Sequence, residues 1–245
     1  MESKTFSKSE AIKFGWKGAK SNLGFFIPAL LVSGLISFAP TIIGSLLNPP
    51  GATNTDFGTS MFLLFISIAG GIIRAGVDLG FIKIGLKFVD GEKPQFSELF
   101  SQFSKLLKYI GSGLLLGLIN ILVLLPFILV VGFLIFSGIQ SGSPNWPLII
   151  LVAIASLIPL VILGIRFQFF SYFIVDGNFG PIQALKQSWG LTKEVTINLF
   201  LLNLVLGLIN FLGILALFIG LFITAPLTML ASAYVFRKLQ SQAPT

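Results

Sequence analysis

The chain has 245 residues, 55% hydrophobic and only 10% charged, with a formal net charge of +7, where an ordinary soluble domain is roughly 25% charged. That composition excludes a soluble fold, whose surface would need far more charge to cover this much Leu, Ile and Phe. With no Cys and no His, disulfides and Cys-ligated metals are excluded, the commonest general base is missing, and no cofactor is expected.

Lys and Arg avoid three stretches: residues 21–73 hold one charge, Asp56, and residues 109–165 and 195–236 hold none. Each stretch can cross a bilayer out and back, because one crossing takes roughly 20 residues at about 1.5 Å apiece. Ahead of the first lie Lys4, Lys8, Lys13, Lys17 and Lys20, where Ile12, Trp16, Ala19 and Leu23 oppose lysines as on an amphipathic helix. The apolar run from Leu23 to Leu47 exceeds the 7–15 residues of a signal-peptide core, which predicts a first span and no cleavable signal. The turn-rich segment 48–59 separates spans near 23–47 and 60–82.

A second amphipathic helix is predicted over 96–107, with Phe96, Leu99, Phe100, Phe103, Leu106 and Leu107 on one face and Glu98, Ser101, Gln102 and Lys105 on the other. Segment 137–147 separates spans near 110–136 and 147–172, and Trp146 there suits an interfacial anchor. A third amphipathic helix starts at Pro181 and carries Ile182, Leu185 and Trp189 on one stripe. The last apolar block has no polar loop. A tight turn at Phe211-Leu-Gly213 is the expected break between its two spans.

Segments 48–59 and 137–147 lack Lys and Arg, whereas Lys83, Lys87, Lys93, Lys105, Lys108, Lys186, Lys193, Arg237 and Lys238 fall on the opposite side. The positive-inside rule then puts both termini in the cytoplasm. The expected fold class is all-α: a polytopic membrane protein with six transmembrane helices as three hairpins, each led by an interfacial amphipathic helix. The chain reads as one integral membrane domain, 1–245, with repeat-like units at about 7–82, 94–173 and 180–238. The strings Gly34-Leu-Ile-Ser-Phe38, Gly117-Leu-Ile-Asn-Ile121 and Gly207-Leu-Ile-Asn-Phe211 recur at comparable places in them, and Asp90-Gly91 matches Asp176-Gly177.

Three segments resemble the glycerophosphoryl diester phosphodiesterase membrane-domain-like family of uncharacterised prokaryotic integral membrane proteins. They are Asp90-Gly-Glu-Lys-Pro-Gln-Phe-Ser-Glu-Leu-Phe100, Val175-Asp-Gly-Asn-Phe-Gly-Pro-Ile-Gln-Ala-Leu-Lys-Gln-Ser-Trp189, and the ending from Ala225-Pro226 to Tyr234-Val-Phe-Arg-Lys-Leu239. The resemblance implies a six-span bundle in the prokaryotic cytoplasmic membrane. It implies no hydrolysis, because a catalytic barrel takes about 250 residues that these 245 do not hold.

Candidate binding residues are ionisable or polar groups inside spans, which are costly there. Arg74 and Asp78 lie one helical turn apart and can neutralise each other. Arg166 begins an aromatic cluster; facing Arg74, it could hold a phosphate or lipid headgroup through bidentate contacts. Asn120 and Asn210 occupy matching repeat positions, and with Asn203 they suit interhelical hydrogen bonds or a polar path. Asp90 and Asp176 suit turns or helix caps. Gly113/Gly117 and Gly76/Gly80 suit close helix contact, and the span prolines suit kinks.

No nucleotide loop, HExxH pair, GxSxG elbow or carboxylate cluster occurs, so no enzyme is expected. Nor is a nucleic-acid partner, since the basic residues border spans and meet anionic headgroups. The expected partners are membrane lipids through those headgroups, and a membrane protein or a second copy of the chain. The function this predicts is a non-catalytic membrane module that scaffolds, shapes the membrane or binds a partner. The alternative is a transporter or channel for a small solute or lipid.

Overall fold

The computed structural model describes residues 4–47 and 56–242, which hold helices and turns and no strand. Among these described residues nine α-helices follow one another: α1 (Lys8–Ser21), α2 (Leu23–Leu47), α3 (Phe57–Val89), α4 (Leu106–Ser141), α5 (Trp146–Phe167), α6 (Phe170–Gly177), α7 (Pro181–Thr192), α8 (Thr196–Leu215) and α9 (Leu221–Gln240). Two 3-10 turns, Phe96–Phe100 and Phe103–Lys105, precede α4. Among the described residues five helices are long and apolar enough to cross a membrane: α2, α3, α4, α5 and α8. The last helix, α9, falls outside that set.

The helix ends follow from local chemistry. Ser7 and Asp56 accept from the amides of Glu10 and Thr59 and so cap α1 and α3, while Asn145 caps α5 through Leu148 N–H. Gly142, at φ 71°, stops α4 in a left-handed turn that favours glycine. The far loop of that hairpin is therefore shorter than 137–147, because α4 runs on to Ser141. Of the first loop, 48–55 lies outside the described residues.

Burial is concentrated at one end of the bundle, the end that carries the lysines. No described residue from 30 to 75 is buried, and between 113 and 162 only Gly138 and Ile149 are. The core instead comprises α1, the last third of α3, the 3-10 turns, α6, α7, α9 and the adjoining ends of α5 and α8. Phe236 sits at its centre, its ring 5.6, 5.1 and 5.1 Å from those of Phe169, Tyr172 and Phe173. Both described termini meet here: Thr5 N–H donates to Gln242 Oε1 at 2.8 Å, and Gln242 Nε2 donates back to Thr5 O at 2.9 Å.

The segments expected to be amphipathic helices depart from that reading in different ways. Helix α1 forms, but its buried face is Ala11, Gly15 and Ala19, with Trp16 exposed; Leu23 belongs to α2, beyond a break at Asn22. The small residues allow contact with α9, where a Cβ on Gly15 would strike the Leu227 carbonyl. Segment 96–107 is two 3-10 turns with α4 starting at Leu106. Gly80 and Gly76 leave room on α3 for the Leu99 backbone and the Phe103 ring. That close docking buries Leu99 and Gln102 and leaves Phe96, Phe100 and Leu107 exposed, splitting the predicted apolar face. Helix α7 buries Leu185 but exposes Ile182 and Trp189.

The third apolar block breaks later than Phe211-Leu-Gly213. Those residues are still in α8, and the turn runs from Ala216 to Gly220. Gly213 marks the place where the returning chain crosses, since a Cβ there would collide with Thr224 Oγ1.

Candidate functional site

The sequence-derived candidates occupy separate places. Arg74 and Asp78 are paired at 3.9 Å on α3, with side chains 59% and 47% exposed. Asp78 also borders a crevice of about 220 Å³ with Phe26, Ser33, Pro226 and Met229. Arg166 lies over the Trp189 ring at 4.9 Å, its Nε and Nη1 buried without a protein acceptor. Asn120 donates to Leu116 O of its own helix at 2.8 Å, whereas Asn210 donates to Thr228 Oγ1 at 2.9 Å, so the matching repeat positions do not meet. Asn203 donates to Gln168 Oε1 at 2.9 Å. Gly76 and Gly80 make close contacts, but a Cβ on Gly113 or Gly117 would meet nothing within 4 Å.

Arg166 does structural work through its backbone. The chain breaks between α5 and α6, leaving a carbonyl and an amide without helical partners. Ser188 Oγ donates to Arg166 O at 2.8 Å and accepts from Phe169 N–H at 3.2 Å; Thr192 Oγ1 donates to the same carbonyl at 3.0 Å. Helix α7 thus repairs the break, which explains why Ser188 and Thr192 are fully buried on an otherwise half-exposed helix.

The best-formed polar arrangement was not among the sequence-derived candidates. Arg237, near the end of α9, donates to Asp90 through Nε at 2.9 Å and Nη2 at 2.7 Å, and through Nη1 to Asp176 at 2.7 Å. Gln240 completes the ring, accepting from Arg237 at 2.9 Å and donating to Asp176 at 3.1 Å. Asp90 follows α3 and Asp176 lies at the end of α6, so one guanidinium fastens the last helix to the ends of both. Burial works against the Arg237 charge, but its hydrogen bonds to Asp176 and Asp90 outweigh that and hold it above the ordinary arginine range. A second pair lies alongside, where Lys87 bridges Glu98 and, at 3.3 Å, Glu92. The signal in the sequence was the recurrence of Val-Asp-Gly at 89–91 and 175–177 against Val235-Phe-Arg237 in the third unit. Each carboxylate had a sufficient local role as a turn residue, which hid their common partner.

Among the described residues no three acidic side chains come together so as to hold a metal ion. Two larger grooves are almost wholly apolar. One, of about 380 Å³, lies among Leu115, Ile119, Phe167, Leu185 and Trp189, with Lys186 at its edge. The other, of about 550 Å³, lies between α1 and the α8/α9 hairpin and has Lys13 at its edge.

The fold and these contacts define an all-helical protein with long apolar, membrane-span helices joined at one end by an ion-paired core. No curated protein and no solved structure matches the chain. Residues 101–243 match the family model described as "Domain of unknown function (DUF7847)", and the chain belongs to that family. The match takes in α4 to α9, Arg237 included, and it starts just after the first 3-10 turn.

Proposed function

We propose that the chain is a non-catalytic membrane module that holds a folded platform against the cytoplasmic face of the membrane. The hairpins α2/α3 and α4/α5 cross out and back, the lysine-bearing end faces the cytoplasm with both termini, and its basic rim meets anionic headgroups. The role this suits is scaffolding, membrane shaping or partner binding, the partner being another membrane protein or a second copy. The observation that carries the reading is that Arg74/Asp78, Arg166, Asn120 and Asn210 each settle with different neighbours instead of lining one internal path. A carrier needs its polar groups gathered at one site between its repeats.

The purified chain in liposomes is expected to pass no small solute and no labelled lipid, while crosslinking in native membranes yields a defined partner or a dimer. Solute-specific flux by the chain alone would overturn the reading. One observation favours the alternative of a small-solute carrier: the crevice at Asp78 is bordered by Pro226 inside α9. On that alternative Asp78→Asn abolishes flux without loss of folded protein.

A further inference from the structure

We propose that α8 and α9 form a re-entrant hairpin, which enters the bilayer from the lysine-bearing end, turns at 216–220 near the middle of the hydrocarbon, and returns. Its partner is the acyl chains of that leaflet. The bilayer is then crossed four times and entered once from one side, in place of six crossings.

Two independent rulers place the turn. Along α9 and α3, which run parallel, Gly85 lies beside Ala233 and Met229, Asp78 shares a crevice with Ala225 and Pro226, and Asp90 is bound to Arg237. Extending that register puts Leu221, the first residue of α9, level with Arg74. Helix α3 continues from Arg74 to Phe57, a further rise of about 25 Å. The second ruler is the pair Asn203 and Gln168, which sets α8 level with the end of α5. From there α8 rises about 18 Å to Leu215, whereas the 22 residues of α5 rise about 33 Å to Trp146. The first ruler leaves the start of α9 about 25 Å short of the far end of α3 and the second leaves the end of α8 about 15 Å short of the far end of α5, so both place the turn inside a hydrocarbon layer of about 30 Å and well short of its far surface.

The chemistry of the turn fits that depth. The other described far loop is polar, with Ser143 and Asn145 beside Gly142, as a loop reaching water should be. From Leu212 to Ile223 no side chain is polar, yet Leu217, Phe218 and Ile219 are 80%, 65% and 69% exposed. Leu217 and Phe218 adopt φ of 55° and 64°, where Gly or Asn is the relaxed choice and other residues cost about 1–2 kcal/mol each. In water that choice gains nothing; in hydrocarbon the oily side chains are required. Most of the backbone polarity is also contained: seven of the nine amides from Ala216 to Thr224, all but those of Leu217 and Gly220, donate to carbonyls three or four residues earlier, which lowers the cost of holding a bend at membrane depth.

The native chain has no cysteine, so single introduced thiols in the full-length protein in vesicles report without background. Ser143→Cys and Lys193→Cys define the two faces by reaction with a membrane-impermeant maleimide. Leu217→Cys is expected to react from neither face, and a nitroxide placed there to collide freely with oxygen while a water-soluble nickel chelate is excluded. Reaction of Leu217→Cys from the Ser143 face would show a complete crossing and overturn the proposal. A nitroxide shielded from both quenchers would show a turn packed in protein, and would overturn it equally. Should Leu217→Cys fail to fold, Ile219→Cys carries the same test. Solute flux does not enter this readout, so the outcome is separate from the scaffold-or-carrier question.

Discussion

The lysine-bearing end and the far end draw on the same Leu, Ile, Phe and Gly, yet they use them oppositely. At the lysine-bearing end, glycines 15, 76, 80 and 85 are contact points where another helix or turn fills the space a side chain would take. Beyond the level of Arg74 and Arg166, glycines 34, 117 and 207 face open space, and the large apolar side chains around them are exposed. Between α2 and α3 the last tight glycine contact on the way out is Pro40 against Gly70. Specific packing therefore resides in one layer, and the remainder of the molecule is a set of apolar legs whose burial is supplied by lipid. In such a design hydrophobicity says where the membrane is, while small residues and paired charges say where the protein is folded.

The sharpest way to break this comparison is Arg237→Met. It removes the guanidinium that bridges Asp90 and Asp176, and losing the shared partner of this half-buried, charge-assisted set of hydrogen bonds costs about 3 kcal/mol. A large drop in the thermal unfolding midpoint of detergent-solubilised protein is expected. Partial recovery should follow in the triple variant that adds Asp90→Asn and Asp176→Asn. Unchanged stability would mean that the ion-paired core does not hold α3, α6 and α9 together.

Matched glycine substitutions sharpen it next. Gly80→Ala should destabilise by about 1–3 kcal/mol, because the new methyl overlaps the Leu99 backbone, which cannot move like a flexible side chain. Gly117→Ala, in the apolar leg of α4, meets nothing and should be neutral or stabilising by up to about 1 kcal/mol. Equal effects at the two sites would erase the distinction between the layers. Ser188→Ala should cost about 1–2 kcal/mol by stranding Arg166 O and Phe169 N–H at the α5–α6 break. The smallest effect is expected at Asn120→Leu, under about 0.5 kcal/mol, since that side chain bonds only its own helix.

The sequence made the membrane class legible because charge exclusion over 109–165 and 195–236 has no soluble explanation. It also placed α2 to the residue and most of α4, since lysines and turn-rich segments bound those apolar runs, although α4 runs on to Ser141, beyond the expected end at 136. Helix α9 was harder. Its apolar run reads like a span, but Thr224, Pro226, Leu230, Ala231 and Phe236 are apolar or small because they pack on α1, α3 and α6, not because they face lipid. Hydropathy cannot tell those two reasons apart. The same confusion moved the turn of the last hairpin, because an apolar turn carries no punctuation. Segment 96–107 failed as a helix for a reason located elsewhere, in Gly76 and Gly80 of α3. Asp90 and Asp176 were noticed, but their shared partner lies 147 and 61 residues away in the chain and has no local signature.

The central claim is that a chain threaded through lipid carries its packed layer, and both its ends, on a single side. Single thiols at Lys93, Lys193 and Gln242, compared with one at Ser143, test it directly in sealed vesicles of known orientation. The first three should react together with an impermeant reagent from one side, and the fourth only from the other. Reaction of Ser143→Cys from the same side as Lys93→Cys would contradict the account.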